Sequence, residues 1–198
     1  MDEEPIIICI CGMAGSGKST VAKKLAEKYG LKYYSGGDAL KALAIEKGYK
    51  PAQKGWWESP EGLAFLENRD KNPEFDKTVD QKLLEVAEHG NVILDSWTMP
   101  WLLKKGFKIW LEASPRRRAE RVAKRDGISV QEALKALKSK EEKTKAIYKK
   151  LYGFSLGEDF TPFHFILDTD NLTAEEVFQT LVAVLDKMVF NKPAFRNS

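Results

Sequence analysis

Residues 12–19 read Gly12-Met13-Ala14-Gly15-Ser16-Gly17-Lys18-Ser19, which matches the pattern G-x-x-x-x-G-K-S. Glycines in this pattern allow successive backbone N–H groups to turn inward around an anion, and the following helix adds its positive N-terminal end. Lys18 would bridge the β- and γ-phosphates of a nucleotide, and the Ser19 hydroxyl would ligate Mg²⁺. The stretch therefore predicts that the chain binds a nucleoside triphosphate.

The residues on either side of this loop supply the strand and the helix that such a loop requires. The apolar run over residues 6–11 predicts a short buried strand. Val21, Leu25 and Tyr29 recur at the spacing of one helix face, which predicts a helix over residues 19–29. The motif thus stands in a strand–loop–helix setting, as nucleotide binding demands.

The bulk composition is typical of one soluble globular domain. The 198 residues are 43% hydrophobic and 31% charged, which suffices for a sizeable core. A net charge of +3 is too small to indicate a nucleic acid partner. The acidic start, Met1-Asp2-Glu3-Glu4, and the lack of a long apolar run predict neither a signal peptide nor a membrane span. We expect a cytoplasmic monomer. Cys9 and Cys11 should be buried free thiols, because neighbours on one strand face suit a disulfide poorly.

Strand and helix signals alternate along most of the chain, a pattern typical of an α/β fold in which helices cover a parallel sheet. The predicted strands are residues 6–11, 32–34, 91–95, 107–111 and 163–167. The predicted helices are residues 19–29, 39–47, 61–69, 74–88 and 174–188, the last beginning at a capping box formed by Thr173 and Glu176. Residues 48–60 are expected to form a loop and residues 191–198 a frayed tail.

Two intervals between predicted strands are longer than a single crossover helix requires. Ligands of parallel α/β sheets bind at the carboxyl edge, so these intervals are where an acceptor pocket and a closing lid would form. We therefore predict one domain over residues 1–198. Its core comprises residues 5–35, 91–115 and 162–190, with an acceptor-binding insertion over residues 36–90 and a lid region over residues 116–160.

Two aspartates are predicted to lie at this carboxyl edge. Asp95 ends the third strand and could ligate Mg²⁺ together with Ser19, contact the acceptor, or cap the segment over residues 96–103. We favour the metal or acceptor role. Asp38 follows the second strand, where it either orients an acceptor hydroxyl and takes its proton or caps the next helix.

Basic residues are concentrated between residues 116 and 150. Arg117, Arg121 and Arg125 recur on one helix face, where they repel each other unless an anion lies against them. A triphosphate under a closing lid would be such an anion. The alternative is a solvated helix surface balanced by Glu120 and Asp126. We favour the phosphate role for Arg121 and Arg125 and keep Arg117 among the nucleotide-binding candidates.

Four tryptophans fall in the stretches that are expected to form the wall of the acceptor site. They are Trp56, Trp57, Trp97 and Trp101. Each could stack on a base or pack against an apolar part of the acceptor, and each could equally belong to the core. His89 and His164 show no metal-ligand spacing, so we assign them no role.

Several further segments carry a resemblance to a known family. They are residues 12–20, the Ser35-Gly36-Gly37-Asp38 turn, residues 72–76, 91–95, 108–113 and 118–133, and Tyr148 with Tyr152-Gly153. From about residue 6 to about residue 185 the chain thereby resembles the archaeal-type cytidylate kinases, which are nucleoside monophosphate kinases. The phosphate-binding loop is shared by many families. The run over residues 118–133 is much more particular to this one.

The resemblance implies a three-layer P-loop kinase fold with a five-stranded parallel sheet, and transfer of the γ-phosphate of ATP, with Mg²⁺, to CMP or dCMP. Arg121 and Arg125 carry over as lid arginines, and residues 168–171 lie where the loop near the adenine would be. The expected catalytic residues are Lys18, Arg121, Arg125 and Asp38. The expected nucleotide-binding residues are Gly12, Met13, Ala14, Gly15, Ser16, Gly17, Lys18, Ser19, Thr20, Arg117 and Asp170, and the expected metal ligands are Ser19 and Asp95.

The chain departs from the family pattern in the acceptor site. Lys41, Trp97 and Ile147 stand where the family has arginines that hold the monophosphate of the acceptor. Lysine can still bind a phosphate as a point charge, whereas tryptophan and isoleucine cannot. The predicted acceptor-binding residues are Asp38, Lys41, Asp95 and Trp97.

Three functions therefore stay open. The leading one is an ATP-dependent phosphotransferase that acts on a small-molecule acceptor, a nucleoside monophosphate. The first alternative is a kinase on the same scaffold whose acceptor is a non-nucleotide hydroxyl compound or an RNA group. The second alternative is a nucleotide-binding regulatory ATPase in which the altered pocket docks a protein.

Overall fold

Five short parallel strands form one sheet, and helices separate each strand from the next along the chain. The strands are β1 (Ile7–Cys11), β2 (Lys32–Ser35), β3 (Val92–Asp95), β4 (Phe107–Glu112) and β5 (Phe165–Asp168). Their spatial order is β2-β3-β1-β4-β5, which confirms the expected five-stranded parallel sheet. The computed structural model describes residues 5–51 and 55–191. The acidic start of the chain and the tail over residues 192–198 lie outside the described residues.

Helices cover both faces of the sheet and complete a three-layer α/β fold. They are α1 (Lys18–Tyr29), α2 (Gly36–Glu46), α3 (Pro60–Lys71), α4 (Glu74–His89), α5 (Met99–Leu102), α6 (Pro115–Asp126), α7 (Val130–Tyr152) and α8 (Ala174–Leu185). A 3₁₀ turn over Trp56–Glu58 precedes α3, and a π-helical turn over Asp186–Phe190 extends α8. Within the described part of the chain, no helix has both the length and the apolar character of a membrane span.

The alternation of β1 side chains divides the core between the two faces of the sheet. Ile8 and Ile10 point to one face and pack with Leu25 of α1 in a cluster that also includes α8. Cys9 and Cys11 point to the other face, where they are fully buried free thiols. Burial raises the pKa of both thiols above the ordinary value. The interpretation of the two cysteines as core residues is therefore confirmed.

Most predicted boundaries agree with the structure to within a few residues, and the exceptions have local causes. α2 begins at Gly36, three residues before the predicted Ala39, because the Ser35 hydroxyl accepts a hydrogen bond from the Asp38 backbone N–H at 3.1 Å. The expected turn over residues 35–38 is therefore the first turn of α2. The short helix α5 lies in a segment where the sequence pattern predicts none.

The two long intervals between strands form helical segments that pack against each other. Residues 36–90 supply α2, α3 and α4, and residues 116–160 supply most of α6 and all of α7. α3 and α7 lie side by side, with ion pairs of Lys143 to Glu67 at 2.6 Å and Lys150 to Asp70 at 3.7 Å. The space between these segments and the carboxyl edge of the sheet forms a cavity.

Candidate active site

A cavity of about 660 Å³ lies at the carboxyl edge of the sheet. Its floor is formed by residues 14–21, and its walls by residues 35–38, 55–57 and 95–98 with side chains of α3, α4, α6 and α7. Parallel pairing aligns the ends of neighbouring strands, so that Ser35 of β2 lies beside Asp95 of β3. Topology therefore concentrates the polar residues that follow the strands in one place.

The glycine-rich loop has the geometry of an anion cradle. Gly15 has φ +83°, and a Cβ there would lie 2.8 Å from the Arg118 carbonyl oxygen, so no larger residue fits without movement. The loop closes through a hydrogen bond from the Ser16 N–H to the Met13 carbonyl at 3.1 Å. The buried Ser16 hydroxyl has no hydrogen-bond partner among the described residues. An unpaired buried donor at the head of α1 fits a phosphate oxygen as its acceptor.

Not every residue of the loop reaches the cavity. Residues 14–20 line it, whereas Gly12 and Met13 lie behind its wall. Met13 is 7% exposed and packs with Trp110 and Phe154 on the sheet. The structure thus brings Lys18, Ser19 and Thr20 to the cavity but assigns Gly12 and Met13 to the support of the loop.

Ser19 and Asp95 meet at the head of α1. The Ser19 hydroxyl donates to Asp95 Oδ2 at 2.5 Å, and the Tyr33 hydroxyl donates to the same oxygen at 3.1 Å. Burial, followed by the Asp95 charge, raises the pKa of Tyr33, so that this hydroxyl remains a donor. The Asp95 carboxylate does not cap the next segment, because the Ser96 hydroxyl oxygen accepts the Thr98 N–H at 3.2 Å and the Met99 N–H at 3.3 Å at the start of α5. That alternative is wrong.

This donor set fits Mg²⁺ bound through a nucleotide. A carboxylate and a hydroxyl are hard oxygen ligands of the kind that Mg²⁺ accepts. Over residues 5–51 and 55–191 no group of three His, Cys, Asp or Glu side chains could hold a metal ion by itself. Mg²⁺ commonly keeps several waters and takes the rest of its ligands from substrate phosphates. Ser19 and Asp95 would therefore hold the ion in company with phosphate oxygens.

Asp38 and Lys41 line the cavity from α2. Asp38 is the third residue of the helix, and its N–H is capped by the Ser35 side chain. The alternative in which Asp38 caps α2 is therefore wrong. The two residues lie about one helical turn apart and carry opposite charges.

The arginines of α6 separate into two groups. Arg121 lines the cavity, donating to the Ser16 carbonyl at 3.2 Å and the Thr169 carbonyl at 2.6 Å. Burial, followed by the Arg117 charge, lowers the pKa of the Arg121 guanidinium from its ordinary value. Arg125 also lines the cavity, with an ion pair to Asp126 at 2.6 Å.

The structure does not bring Arg117 or Asp170 to the cavity wall. Arg117 donates to the Asp170 carbonyl at 2.9 Å and to the Glu120 carboxylate at 3.1 Å. The Asp170 carboxylate accepts from the Ser114 N–H at 2.7 Å, which lowers its pKa. These contacts join the start of α6 to the loop after β5. For Arg117 the structure therefore agrees better with the alternative of a solvated helix surface, on which Glu120 balances its charge.

The four tryptophans take different roles. Trp97 lines the cavity, and its indole N–H donates to the Gly12 carbonyl at 2.6 Å. Trp57 and Trp56 also line it, although Trp56 is 2% exposed and packs in the core with Phe65. Trp101 does not line the cavity. It stacks on Phe154 with ring centroids 4.0 Å apart.

A buried polar network lines the wall formed by α3, α4 and α7, and sequence patterns did not predict it. Arg69 and Asp76, each 2% exposed, form an ion pair. Arg69 also donates to the Tyr148 hydroxyl at 3.5 Å. Asp80 accepts from the Tyr152 hydroxyl at 2.6 Å. The one sequence signal is that both aspartates, one helical turn apart, adjoin the apolar stripe predicted for α4.

This network bears on the interpretation of Ile147, which stands where the resemblance implies an arginine. The Ile147 side chain is 2% exposed and belongs to the core cluster with Trp110, so it does not line the cavity. The guanidinium next to Tyr148 comes instead from Arg69 on α3. A cationic side chain is thus present beside that tyrosine although position 147 is apolar.

Comparisons with known proteins agree with this architecture. Residues 7–171 match the model of the cytidylate kinase-like family. A cytidylate kinase of Pyrococcus horikoshii is 35% identical over 189 residues, covering 95% of this chain and 92% of that protein. A cytidylate kinase of Methanopyrus kandleri is 33% identical over 195 residues, covering 93% of this chain and 95% of that protein.

Solved structures show the same fold at lower sequence identity. A shikimate kinase from Bacteroides thetaiotaomicron superposes with a TM-score of 0.56 at 20% identity, covering 91% of this chain and 98% of that one. Likeness at that identity concerns the arrangement of strands and helices alone. The family match covers residues 7–171 and therefore extends far beyond the phosphate loop. The chain is a kinase with the P-loop fold and belongs to the cytidylate kinase-like family.

Proposed function

We propose that the chain transfers the γ-phosphoryl group of ATP to CMP or dCMP. The observation that carries the proposal is the contact of Ser19 with Asp95 at the mouth of the phosphate loop, facing one continuous cavity. That arrangement offers a place for a metal-bound triphosphate and, in the same space, room for a second ligand. The names of the Pyrococcus and Methanopyrus relatives support cytidylate as that ligand.

The residues of the chain would act by positioning and by compensating charge. Phosphoryl transfer has a loose transition state in which little covalent help is needed from the protein. When bound, Mg²⁺ supplies neutralisation of charge on the phosphate oxygens. The loop N–H groups, Lys18 and Arg121 would hold the donor phosphates in line with the acceptor oxygen. That oxygen forms the new P–O bond while the bond to ADP breaks.

The two helical segments would have separate roles. We assign acceptor binding to residues 36–90, where Asp38 and Lys41 on α2 would contact the nucleotide together with Trp97 of the facing cavity lining. We assign the lid to residues 116–160, whose Arg121 and Arg125 line the cavity from α6. The contacts of α3 with α7 would then bring the two segments together around the substrates.

A coupled assay of ADP release with a panel of acceptors tests the proposal. ATP and Mg²⁺ with CMP or dCMP should release ADP, whereas ATP alone or with cytidine should not. Lys18→Ala should abolish the release, and Lys28→Ala, on the outer part of the same helix, should leave it unchanged. Release that requires a non-nucleotide hydroxyl compound or RNA would overturn the proposal. So would slow release without any acceptor that responds to a protein partner, as expected of a regulatory ATPase.

A further inference from the structure

Tyr33 lies on β2 beside Ser19 and Asp95, the two residues that would hold Mg²⁺. The strand register pairs Ser35 with Asp95, so that Tyr33, two residues before Ser35, is a diagonal neighbour of Asp95 on the same face of the sheet. A diagonal neighbour is beyond the reach of a short side chain but within reach of an aromatic one. The Tyr33 hydroxyl spans this gap and donates to Asp95 Oδ2 at 3.1 Å. Strand register thus places a hydrogen-bond donor next to a candidate metal ligand.

Tyr33 contacts Asp95 from behind the cavity lining. Its ring is half-buried and packs against the core cluster that contains Ile10 and Leu25. The Lys23 ammonium of α1 lies 5.3 Å from the centroid of the ring, at the distance of a cation–π contact. Tyr33 does not line the cavity, so it would act on a ligand there through Asp95. The strand, the core cluster and α1 together restrain the ring and hence the direction of its hydroxyl.

The two oxygens of the Asp95 carboxylate have different surroundings. Oδ2 accepts hydrogen bonds from the Ser19 and Tyr33 hydroxyls. Oδ1 accepts no hydrogen bond within residues 5–51 and 55–191, and Asp95 lines the cavity. Two donors on one oxygen fix the orientation of the carboxylate and leave the other oxygen for a ligand. Ser19 is itself a candidate metal ligand, so Tyr33 is the donor that has no other task at this site.

The neighbouring tyrosine of β2 has a different environment. Tyr34 points to the opposite face of the sheet, because successive side chains of a strand alternate. There it packs against the core cluster that contains Cys9 and Leu94. The contact with Asp95 therefore belongs to position 33 and does not follow from the aromatic character of β2 in general.

We propose that Tyr33 is a positioning residue for the metal ion, whose hydroxyl holds the Asp95 carboxylate in the orientation in which it would receive Mg²⁺ together with Ser19. Groups that orient metal ligands in this way commonly contribute a factor of about 10 to 100 to metal affinity. The inference rests on the donor half of the proposed function, because it requires a triphosphate bound with Mg²⁺. It requires no particular acceptor.

Calorimetric titration with ATP, over a series of MgCl₂ concentrations and in EDTA, tests the inference without turnover. Tyr33→Phe removes one hydroxyl and leaves Asp95 Oδ2 paired with Ser19, so no buried acceptor is orphaned and the variant should fold. The MgCl₂ concentration that half-saturates the strengthening of ATP binding should rise about 10-fold in this variant. The affinity for ATP in EDTA should stay close to that of the wild type. Tyr34→Phe removes the same atom on the other face and should resemble the wild type throughout.

A double-mutant cycle separates positioning of the carboxylate from a general effect on the structure. Asp95→Asn should weaken the response of ATP binding to Mg²⁺. Adding Tyr33→Phe to Asp95→Asn should cause little further loss, because the hydroxyl acts through the Asp95 carboxylate. Additive losses would overturn the inference, since they would show that Tyr33 acts by a route that does not include Asp95.

The outcomes separate this inference from the proposed function. If Mg²⁺ strengthens ATP binding in the wild type and Tyr33→Phe needs the same MgCl₂ concentration, the inference alone is overturned. Equal losses of ATP affinity in MgCl₂ and in EDTA also overturn it, since the effect would then not concern the metal ion. A wild type that binds ATP with Mg²⁺ but phosphorylates neither CMP nor dCMP overturns the proposed function, while the binding data still decide the inference. A wild type that binds no ATP overturns both.

Discussion

Asp80 is a buried carboxylic acid in the cavity wall, 6% exposed. The Thr98 hydroxyl donates to one of its carboxylate oxygens at 2.5 Å and the Tyr152 hydroxyl to the other at 2.6 Å. Burial nevertheless raises the pKa of Asp80 to about 6, from an ordinary value of 3.8. The two hydroxyls lower it again only in part. The folded chain therefore holds this proton more tightly than the unfolded chain does.

This difference in proton affinity predicts a pH dependence of stability. Between about pH 4 and about pH 6 the folded state binds more protons than the unfolded state, so stability falls as the pH rises. From Asp80 alone, the free energy of unfolding should be about 1 kcal/mol larger at about pH 5 than at about pH 7. Urea denaturation at the two pH values should show this term in the wild type and not in Asp80→Asn.

Asp70→Asn is the control for that measurement. Its side chain is 59% exposed on α3, where a charge change should have little effect on the pH dependence. An Asp80→Asn variant with the pH dependence of the wild type would contradict the assignment of the raised pKa to Asp80.

At the scale of elements, one largely buried ion pair joins α6 to α7 beside the apolar cluster that the two helices share. Arg118 of α6 is 5% exposed and pairs with Glu141 of α7. Its guanidinium also donates to the Ala113 carbonyl at 3.0 Å and to the Ala14 carbonyl at 3.1 Å, at the phosphate loop. The pair thereby links the two helices of the basic segment to the loop that they face.

Arg118→Met should destabilise the fold by up to about 3 kcal/mol, because it leaves the largely buried Glu141 carboxylate without its cation. Arg118→Met combined with Glu141→Leu should recover most of that loss, since no unpaired charge remains. Urea denaturation of the single and double variants measures both effects. Arg116→Met, at a side chain that is 86% exposed, should cost less than about 0.5 kcal/mol. Equal effects of the Arg116 and Arg118 substitutions would be inconsistent with this account.

At the scale of the whole molecule, the candidate site lies between parts of the chain that are far apart in sequence. The cavity takes its floor from α1, one wall from the segment over residues 36–90 and another from α6 and α7. A ligand that contacts all of them binds the folded chain and not the unfolded one. Ligand binding and global stability should therefore be linked.

ATP with Mg²⁺ should raise the melting temperature of the wild type. At about 100 times the dissociation constant, the stabilisation is about 2.7 kcal/mol. For a chain of this size that corresponds to roughly 5–10 °C. Thermal denaturation with ATP, before and after addition of EDTA, measures the effect, and EDTA should remove most of it. Asp95→Asn should respond less to Mg²⁺, and Lys18→Ala should show almost no shift. A full shift in Lys18→Ala would place ATP elsewhere.

The fold and the residues around the phosphate loop could largely be predicted from the sequence, because their signals are local. Alternation of apolar runs and helical stripes reports the sheet and its covering helices. The loop over residues 12–19 carries its own backbone chemistry, so that Ser19 and its partner Asp95 followed from strand topology alone. The misplaced start of α2 has a local cause too, since Ser35 rather than Asp38 caps it.

The wall of the cavity away from the phosphate loop could not be predicted, because it depends on contacts between distant residues that no local pattern reports. Arg69 reaches Tyr148 across 79 residues, and Tyr152 reaches Asp80 across 72. Trp97 lies against the loop 85 residues before it. Periodicity identifies which face of a helix is buried, but it does not identify the partner of a buried charge. Residues 12–19 alone thus predicted a nucleotide at the head of α1, whereas only the packing of α3, α4 and α7 decided which side chains line the rest of the cavity.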